Sequence, residues 1–204
     1  FSRIDHLQTV LETQLQSLGP EHPEVGGIYS DLGFAYEMRR RYDKAIEYFQ
    51  KALAIRRKNG AKDELIAGYF NRLGRVHSAN GEYALAFDFL RRSLGILEKK
   101  ENSRSPALAS TYSLLGSIQL SKARAEELVP SREILEYHLK AKEIVEGIYG
   151  PSVRLAEIYR DISAFHRAEG EYALADKSIK KAVSIDLEVL GPNHPGRAFT
   201  ILEI

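Results

Sequence analysis

The sequence has 204 residues, of which 44% are hydrophobic and 28% are charged, enough apolar material for a core and too much for a disordered chain. Lysine and arginine number 29 against 28 aspartate and glutamate, and this balance argues against a dedicated nucleic-acid binder. The chain has no cysteine, which excludes disulfides and a cysteine nucleophile, and no apolar run long enough to cross a membrane. We therefore expect a cytoplasmic protein with no nucleic-acid partner and no membrane insertion. Secretion of a chain without disulfides stays open as an alternative, and a nucleic-acid role would need a local basic patch.

The first predicted element is a helix over residues 2–18. Its apolar residues recur at spacings of three and four, as one face of a helix requires: Ile4, Leu7, Leu11, Leu15 and Leu18. Gly19 then favours a helix end, Pro20 prevents continuation, and Pro23 can begin the next helix. The phrase LGPEHPEV at 18–25 thus predicts a corner between two helices, and its near copy LGPNHPGR at 190–197 predicts a second corner.

Internal repeats follow the first corner. The segments 32–55, 73–96 and 162–185 superpose without a gap, and a fourth segment from Leu115 matches once six residues are inserted. Equivalent small residues are spaced by 41, 42 and 47 positions: Gly33, Gly74, Gly116 and Ser163. Each unit is predicted to be two helices, and because no single pair can bury its apolar faces alone, the units should stack into a solenoid.

Ten helices are expected in chain order, near 2–18, 23–39, 42–59, 62–80, 82–100, 105–127, 131–149, 152–169, 172–190 and 195–204. We interpret residues 1–204 as a single array: a helix of a preceding repeat at 2–18, repeats at 22–60, 61–101, 102–149 and 150–190, and the start of a further repeat at 191–204. The strong helix formers KARAEEL at 122–128 predict that the first helix of the third repeat is about two turns longer than its counterparts.

A family resemblance rests on these repeats. This chain resembles the tetratricopeptide signature at seven positions: Tyr29, Leu32, Gly33, Tyr36, Ala45, Phe49 and Ala52. The turn between the two helices of that signature is similar to Gly81-Glu82-Tyr83 with Ala86. The period of about 42 and the LGPEHP corner resemble the variant found in kinesin light chains. The resemblance covers essentially the whole chain. It implies an all-α, right-handed tetratricopeptide solenoid of antiparallel helix pairs, with about four full repeats and a partial helix at each end.

Catalytic patterns are not recognisable in the sequence. It contains no HExxH, no glycine-rich phosphate loop after a strand, no nucleophile elbow and no histidines at metal-ligand spacing. His77 and His166 occupy the position of Tyr36 and are interpreted as packing between helices. The run Arg39–Arg41 lies across a predicted helix end. We interpret it as cations that favour the negative end of that helix, rather than as a phosphate site. We predict no enzymatic activity, no cofactor and no metal.

Binding is the remaining class of function. The resemblance implies that the first helix of each repeat lines a concave groove, and the stripe beside its core positions supplies candidate peptide-binding residues: Phe34, Asn71, Arg75, Ser113, Ser117, Arg160 and Arg167. Arginines there would pair with carboxylates, and Asn71 would bond a peptide backbone. The predicted function is a protein-protein interaction scaffold that binds an extended or acidic peptide segment.

Two other interpretations stay open. The stripe can be a polar surface without a ligand. Alternatively, the chain is a structural or sensory array that regulates another domain of a larger signalling protein, for example a nucleotide-binding ATPase, through intramolecular or oligomeric packing at its ends.

Overall fold

Nine α-helices and no strand occur in residues 3–99 and 104–191, the ranges that the computed structural model describes. The helices are α1 (Arg3–Leu18), α2 (Pro23–Met38), α3 (Tyr42–Lys58), α4 (Asp63–Ala79), α5 (Tyr83–Leu97), α6 (Pro106–Ala125), α7 (Arg132–Tyr149), α8 (Val153–Ala168) and α9 (Tyr172–Leu190). The nine helices lie within a few residues of the expected bounds, which confirms the all-α class. The tenth expected helix, at 195–204, lies outside the described residues, as does most of the second predicted corner at 190–197 with its lone histidine, His194.

The helices form two compact units, Phe1–Lys99 and Lys100–Ile204. In the first unit, α2 pairs with α3 and α4 with α5, while α1 packs on α2 and α3 packs on α4. In the second unit, α6 pairs with α7 and α8 with α9, and α7 packs on α8. Helix pairs that pack on their sequence neighbours are what a helical repeat requires. The continuous single array and its repeat boundaries stay predictions.

Small residues allow the two helices of a pair to approach each other. A Cβ atom at Gly33 would lie 2.8 Å from the Phe49 ring, and one at Gly74 would lie 2.9 Å from Cγ of Leu90. These distances are too short for real carbon contacts, so a larger residue would push the helices apart. In the last pair Ser163 takes the place of the glycine, and its hydroxyl donates to a carbonyl of α9 at 2.9 Å. The close-packing role predicted for these residues is confirmed.

The first corner forms as its glycine and prolines predict. Gly19 has a φ of 82°, in the region that favours glycine, and Pro23 is the first residue of α2. The Nδ1 atom of His22 accepts a hydrogen bond from the backbone N–H of Glu24 at 3.3 Å, so the histidine caps the helix. This lone histidine therefore has a structural role in the corner.

His77 and His166 are buried at the ends of α4 and α8. Their Nδ1 atoms lie 2.5 Å and 2.6 Å from carboxylate oxygens of Glu82 and Glu171, which directly precede the second helix of each pair. The His77 ring also stacks on Phe89, with 5.2 Å between ring centroids. These contacts tie the end of one helix to the beginning of the next, and the prediction that both histidines pack between helices is confirmed.

The extension of α6 is shorter than the composition of its sequence predicts. This helix ends ten residues after Leu115, whereas α4 ends six residues after its own core leucine, so the excess is about one turn and the expected two turns are wrong. Glu127 has a φ of 53°, and the next N–H, of Leu128, donates back to the carbonyl of Ala123 at 2.8 Å. This closure satisfies a carbonyl at the helix end and stops the helix despite the favourable propensity of its residues.

Candidate functional site

The candidate surface of the first unit is built by α2 and α4. Arg75 donates from Nη2 to Oε2 of Glu37 at 2.9 Å. The Glu37 side chain is only 12% exposed, whereas the Arg75 side chain is 46% exposed. Burial raises the pKa of Glu37 above its ordinary value, and the positive charges of Arg75 and Arg72 oppose that rise. The Glu37 carboxylate thus belongs to the packed layer, meaning the largely buried side chains between the helices, and the Arg75 guanidinium faces solvent.

Two further side chains complete this surface. Phe34 is half-buried and packs against the hydrophobic cluster that contains Phe49 and Phe70. Arg72 is exposed, and its guanidinium carbon lies 5.8 Å from the centroid of the Phe49 ring, within the range of a cation–π contact. Because Arg72 and Arg75 are three residues apart on one helix, their side chains project from the same side of α4. The surface is therefore cationic beside a partly exposed aromatic ring.

Asn71, the fourth candidate of this unit, is only 7% exposed. It lies on the packed side of α4, since one residue of rotation about a helix axis moves a side chain by about 100°. Its predicted bond to a docked peptide stays a prediction and would require the side chain to move. The exposed neighbour is Arg72, which the sequence did not single out.

In the second unit, the equivalent helices are α6 and α8. The Ser117 hydroxyl donates to Oδ2 of Asp161 at 3.1 Å and also lies 2.9 Å from the backbone carbonyl of Ser113. The Asp161 side chain is 37% exposed. Burial raises the pKa of Asp161 to about 6, and the hydrogen bond from Ser117 opposes that rise. The structure thus places the candidate Ser117 against a carboxylate that sequence reasoning did not select, whereas Ser113 takes part only through its backbone carbonyl, which lies beside the Ser117 hydroxyl.

A buried histidine lies beneath this carboxylate. His138 of α7 is fully buried, and its Nδ1 atom is 3.8 Å from Oδ2 of Asp161, too far for a hydrogen bond. Neither ring nitrogen has a hydrogen-bond partner within the described part of the chain. Burial lowers the pKa of His138 to about 4, so the imidazole is neutral at pH 7. A Cβ atom at Gly116 would lie 2.6 Å from its Nε2 atom.

The repeat alignment contained a signal for this histidine. His138 precedes Ala141 by three residues, just as Phe49 precedes Ala52 by three, so it occupies the position that holds Phe49 in the first repeat. Leu90 and Ile179 hold that position in the other repeats. A polar residue at a position that is otherwise apolar marks the third repeat as different, whereas the contact with Asp161 could not be read from spacing.

The two arginine candidates of α8 have different environments. Arg160 forms an ion pair with Asp186 of α9, a carboxylate that is only 1% exposed. This arginine therefore has an internal structural partner, because a buried carboxylate is costly without a cation beside it. Arg167 is exposed in the last turn of α8. Of the two, Arg167 is the more accessible to a ligand.

The candidates therefore fall into two groups, and each is a surface of its own unit. Arg72 and Arg75 form a cationic patch on α4 in the first unit, with Phe34 on α2, whereas in the second unit Ser117 donates to the carboxylate of Asp161. No group of three or more histidine, cysteine, aspartate or glutamate side chains within residues 3–99 and 104–191 could hold a metal ion. In the same ranges, no helix is both long enough and apolar enough to cross a membrane.

Sequence comparisons identify the type of repeat. Residues 4–58 match a profile described as tetratricopeptide repeat, and residues 66–107 and 155–196 match a second profile with the same description. Together these matches cover more than half of the chain.

Similar proteins are found in plants and fungi. The chain is 29% identical over 153 residues to "Protein KINESIN LIGHT CHAIN-RELATED 1" and 23% identical over 183 residues to "Protein KINESIN LIGHT CHAIN-RELATED 3", both of Arabidopsis thaliana. It is 24% identical over 181 residues to "Clustered mitochondria protein homolog" of Ajellomyces capsulatus. The alignments cover 73%, 89% and 87% of this chain but only 25%, 27% and 14% of those proteins. The chain therefore spans about a quarter or less of the length of these relatives.

Two solved structures share the fold. BtubC (BKLC) from P. vanneervenii is 23% identical with a TM-score of 0.72, and the match covers 93% of this chain and 73% of that one. A Podosopora anserina putative kinesin light chain with nearly identical TPR-like repeats is 19% identical with a TM-score of 0.68, over 91% of this chain and 85% of that one. This likeness confirms the solenoid fold that the repeats predict.

Proposed function

Because this chain belongs to the tetratricopeptide repeat family, in its kinesin-light-chain-like form, we propose that it is a docking scaffold whose first unit binds an extended, acidic segment of a partner protein. The repeat fold supports a protein-protein interaction scaffold in general. The observation that carries the acidic partner is the exposed guanidinium of Arg75 beside exposed Arg72, while the carboxylate that Arg75 contacts lies in the packed layer.

The chemistry of this patch favours carboxylates. A guanidinium presents five N–H donors in a rigid plane, and Glu37 engages Nη2 of Arg75. A carboxylate of the partner can approach the exposed part of the same group and also pair with Arg72 on the next turn of α4. Phe34 adds a partly exposed apolar surface, on which an aliphatic or aromatic side chain of the segment can pack.

The second unit is proposed to contribute less to an acidic ligand. Arg160 is engaged by Asp186, and Ser117 donates to Asp161. A ligand carboxylate near Ser117 would meet the negative charge of Asp161 at pH 7. Within this unit, Arg167 is therefore the candidate with the best access to a negatively charged group.

The expected affinity is modest. Hydrogen bonds to charged groups contribute about 1.5 to 3 kcal/mol each, and solvent-exposed ion pairs contribute less. A short peptide held by two arginines should bind at micromolar strength, and added salt should weaken it, because exposed charges are screened.

A titration of defined peptides tests the proposal. The probe is a short fluorescein-labelled peptide of alternating glutamate and serine, followed by fluorescence anisotropy, and a peptide with glutamine in place of glutamate is the uncharged control. We expect the parent to bind only the glutamate peptide and Arg75→Gln to weaken binding about three- to ten-fold. The matched variant Arg91→Gln removes an exposed arginine from α5 and should bind like the parent. Equal binding by Arg75→Gln and the parent would contradict the proposal.

The regulatory array is the alternative proposal, and the length of the relatives favours testing it. Because the chain aligns with only 25% and 27% of the two plant proteins, much of a protein of that size would lie outside such a region. If the complete gene product hydrolyses nucleotides, its rate should change when the repeats are removed, without any added peptide. An unchanged rate would eliminate this alternative.

Two further properties complete the proposal. We propose that the chain acts in the cytoplasm, in keeping with its lack of cysteine, and that it has no catalytic activity of its own. Imaging of a fluorescent fusion in its native cell checks the location. A tagged protein that accumulated in a membrane-enclosed compartment would contradict it.

A further inference from the structure

The turn between α2 and α3 consists of three arginines, Arg39, Arg40 and Arg41, and all three are exposed. In residues 3–99 no carboxylate lies within ion-pair distance of their guanidinium groups. The corresponding turns read Asn80-Gly81-Glu82 and Glu169-Gly170-Glu171. The turn of the first repeat is therefore positively charged, whereas the two corresponding turns carry negative charge.

This turn continues the cationic surface of the first unit. It begins two residues after Glu37, the carboxylate that holds Arg75, so it lies at the same end of α2. The nearby carboxylate of Asp43 accepts a hydrogen bond from Asn80 at 3.5 Å. With Arg72 and Arg75, the turn brings five arginines to this end of α2 and α4, where the carboxylates of Glu37, Asp43 and Glu82 contact Arg75, Asn80 and His77 and not the turn.

The backbone of the turn gives an independent reason to assign it a function. Arg40 has a φ of 56°, whereas the equivalent residues Gly81 and Gly170 have φ values of 81° and 77°. All three turns close in the same way, and the N–H of Arg41 donates to the carbonyl of Tyr36 at 2.9 Å. The left-handed region is unfavourable for a residue with a Cβ atom and costs glycine nothing. The first repeat therefore keeps a strained arginine where a glycine would relieve the strain.

Electrostatics at the helix end does not account for Arg40. Cations at the C-terminus of a helix are favourable, and Arg39 and Arg41 supply two of them on either side. A glycine between them would leave that effect in place and remove the strain. Residues held in sparsely populated conformations are found where the surrounding structure or the function requires the side chain.

We infer that the Arg39–Arg41 turn is a second contact point of the docking surface and binds a further group of carboxylates on the same acidic partner segment. This inference rests on the proposed function, in which Arg72 and Arg75 bind the first group. A protein segment is favoured over nucleic acid, because the whole chain carries a formal charge of only +1 and lacks the general excess of basic residues that binds a polyphosphate.

A matched pair of glycine variants tests the inference. Arg40→Gly removes both the charge and the strain, and Glu127→Gly removes the same strain from the turn after α6, where φ is 53°. Both variants should raise the melting temperature slightly, or leave it unchanged. With the labelled glutamate–serine peptide, Arg40→Gly should bind about two- to five-fold more weakly, the loss of one exposed ion pair, while Glu127→Gly binds like the parent. Arg40→Lys should recover part of the loss.

The outcomes distinguish failure of this inference alone from failure of the proposed function. Equal binding by Arg40→Gly and the parent, together with weaker binding by Arg75→Gln, would overturn the inference alone. No binding by the parent, or no loss in either variant, would overturn both. If single-stranded oligothymidylate of matched charge binds more tightly than the peptide and Arg40→Gly abolishes that binding, the inferred class of partner is wrong. Should Arg40→Gly melt abnormally, the double variant Arg39→Gln with Arg41→Gln gives the same readout with the backbone unchanged.

Discussion

The two units build the same helix–helix contact from different chemistry. In the first unit Gly74 faces the hydrocarbon side chain of Leu90, and in the second Gly116 faces the imidazole of His138. Leu90 and His138 are both fully buried, but only the histidine brings polar atoms that need hydrogen bonds. The contact therefore requires a small residue opposite a large one, and it does not require the large one to be apolar.

The candidate surfaces of the two units also differ in the charged group that each one exposes. Neighbouring first helices are joined by Arg75 and Glu37 in the first unit and by Ser117 and Asp161 in the second. In the first unit the exposed member of the pair is a cation, whereas in the second the bonded carboxylate is itself 37% exposed. The first unit thus exposes a cation, on which the proposed binding of an acidic segment rests, and the second unit exposes a carboxylate whose pKa is raised.

The largest expected effect comes from filling a glycine contact. Gly74→Leu should lower the free energy of unfolding by about 1 to 3 kcal/mol or more, because its Cβ would lie 2.9 Å from Cγ of Leu90 and 3.2 Å from the carbonyl oxygen of Ala86. Gly68→Leu on the same helix is the control, since nothing lies within 4 Å of a Cβ at that position. Urea denaturation measures both. If the two variants unfold at the same urea concentration, the contact does not limit the approach of α4 and α5.

Exchanging the large residue of the second unit tests the comparison directly. His138→Leu should stabilise the protein by about 1 to 2 kcal/mol at pH 7, because it removes two buried ring nitrogens that lack hydrogen-bond partners. The reciprocal variant Leu90→His should destabilise the protein, since it introduces such nitrogens beside Gly74. Thermal melting of both variants is the measurement. A destabilised His138→Leu would mean that the imidazole makes a favourable contact, for instance through a bound water.

The pH dependence of stability separates His138 from Asp161. The pKa of His138 is lowered to about 4 from 6.5, so its contribution is present above pH 6.5 and is lost as the pH falls towards 4. The pKa of Asp161 is raised to about 6 from 3.8, so its contribution is present below pH 3.8 and is lost as the pH rises through 6. The two opposing effects overlap between pH 4 and 6.

Two variants make the opposing contributions visible. Relative to the parent, His138→Leu should gain stability as the pH falls from 6.5 to 4. In the parent, protonation of His138 in the unfolded state lowers the free energy of unfolding, and the variant has no such group. Asp161→Asn should lose stability relative to the parent over the same interval. Urea unfolding at several pH values gives both differences. Parallel curves for parent and variants would show that neither group has a shifted pKa.

The smallest effect is expected at the ion pair of the first unit. Glu37→Gln should change stability by less than about 1 kcal/mol, because the lost attraction to Arg75 is offset by the lower cost of burying a neutral amide. Binding of the glutamate–serine peptide should strengthen about two-fold, since no protein carboxylate then competes for Arg75. Fluorescence anisotropy gives the affinity, and weaker binding by this variant would show that Glu37 positions the arginine.

The helices were predictable because their ends are signalled locally. Gly19, Pro20 and Pro23 determine the first corner through their own backbone preferences. The same reasoning was wrong at the end of α6, where residues of high helix propensity are followed by Glu127 in a left-handed conformation. Propensity does not include the backbone hydrogen bond from Leu128 to Ala123 that closes this helix, so it predicted too long an extension.

The candidate site was predictable only in part. The repeat alignment selected Arg75, Ser113 and Ser117, which the structure places on the facing first helices of their units. It also selected Asn71, which is buried, and it did not select Arg72, which is exposed. These two residues are adjacent in sequence and about 100° apart around the helix axis, so the rotation of α4 decides which of them reaches the surface, and packing against neighbouring helices determines that rotation.

The sequence by itself determined the class of fold, the positions of those helix termini that a glycine or proline marks, and the positions of the small residues that allow close packing. Each of these depends on residues within a few positions of one another or on a repeating pattern. Only the tertiary structure decided that Arg160 is held by Asp186 and that His138 lies beneath Asp161. Those partners are more than twenty residues apart and belong to different helices, so burial and rotation in the folded chain, rather than spacing, determine the charges that remain exposed.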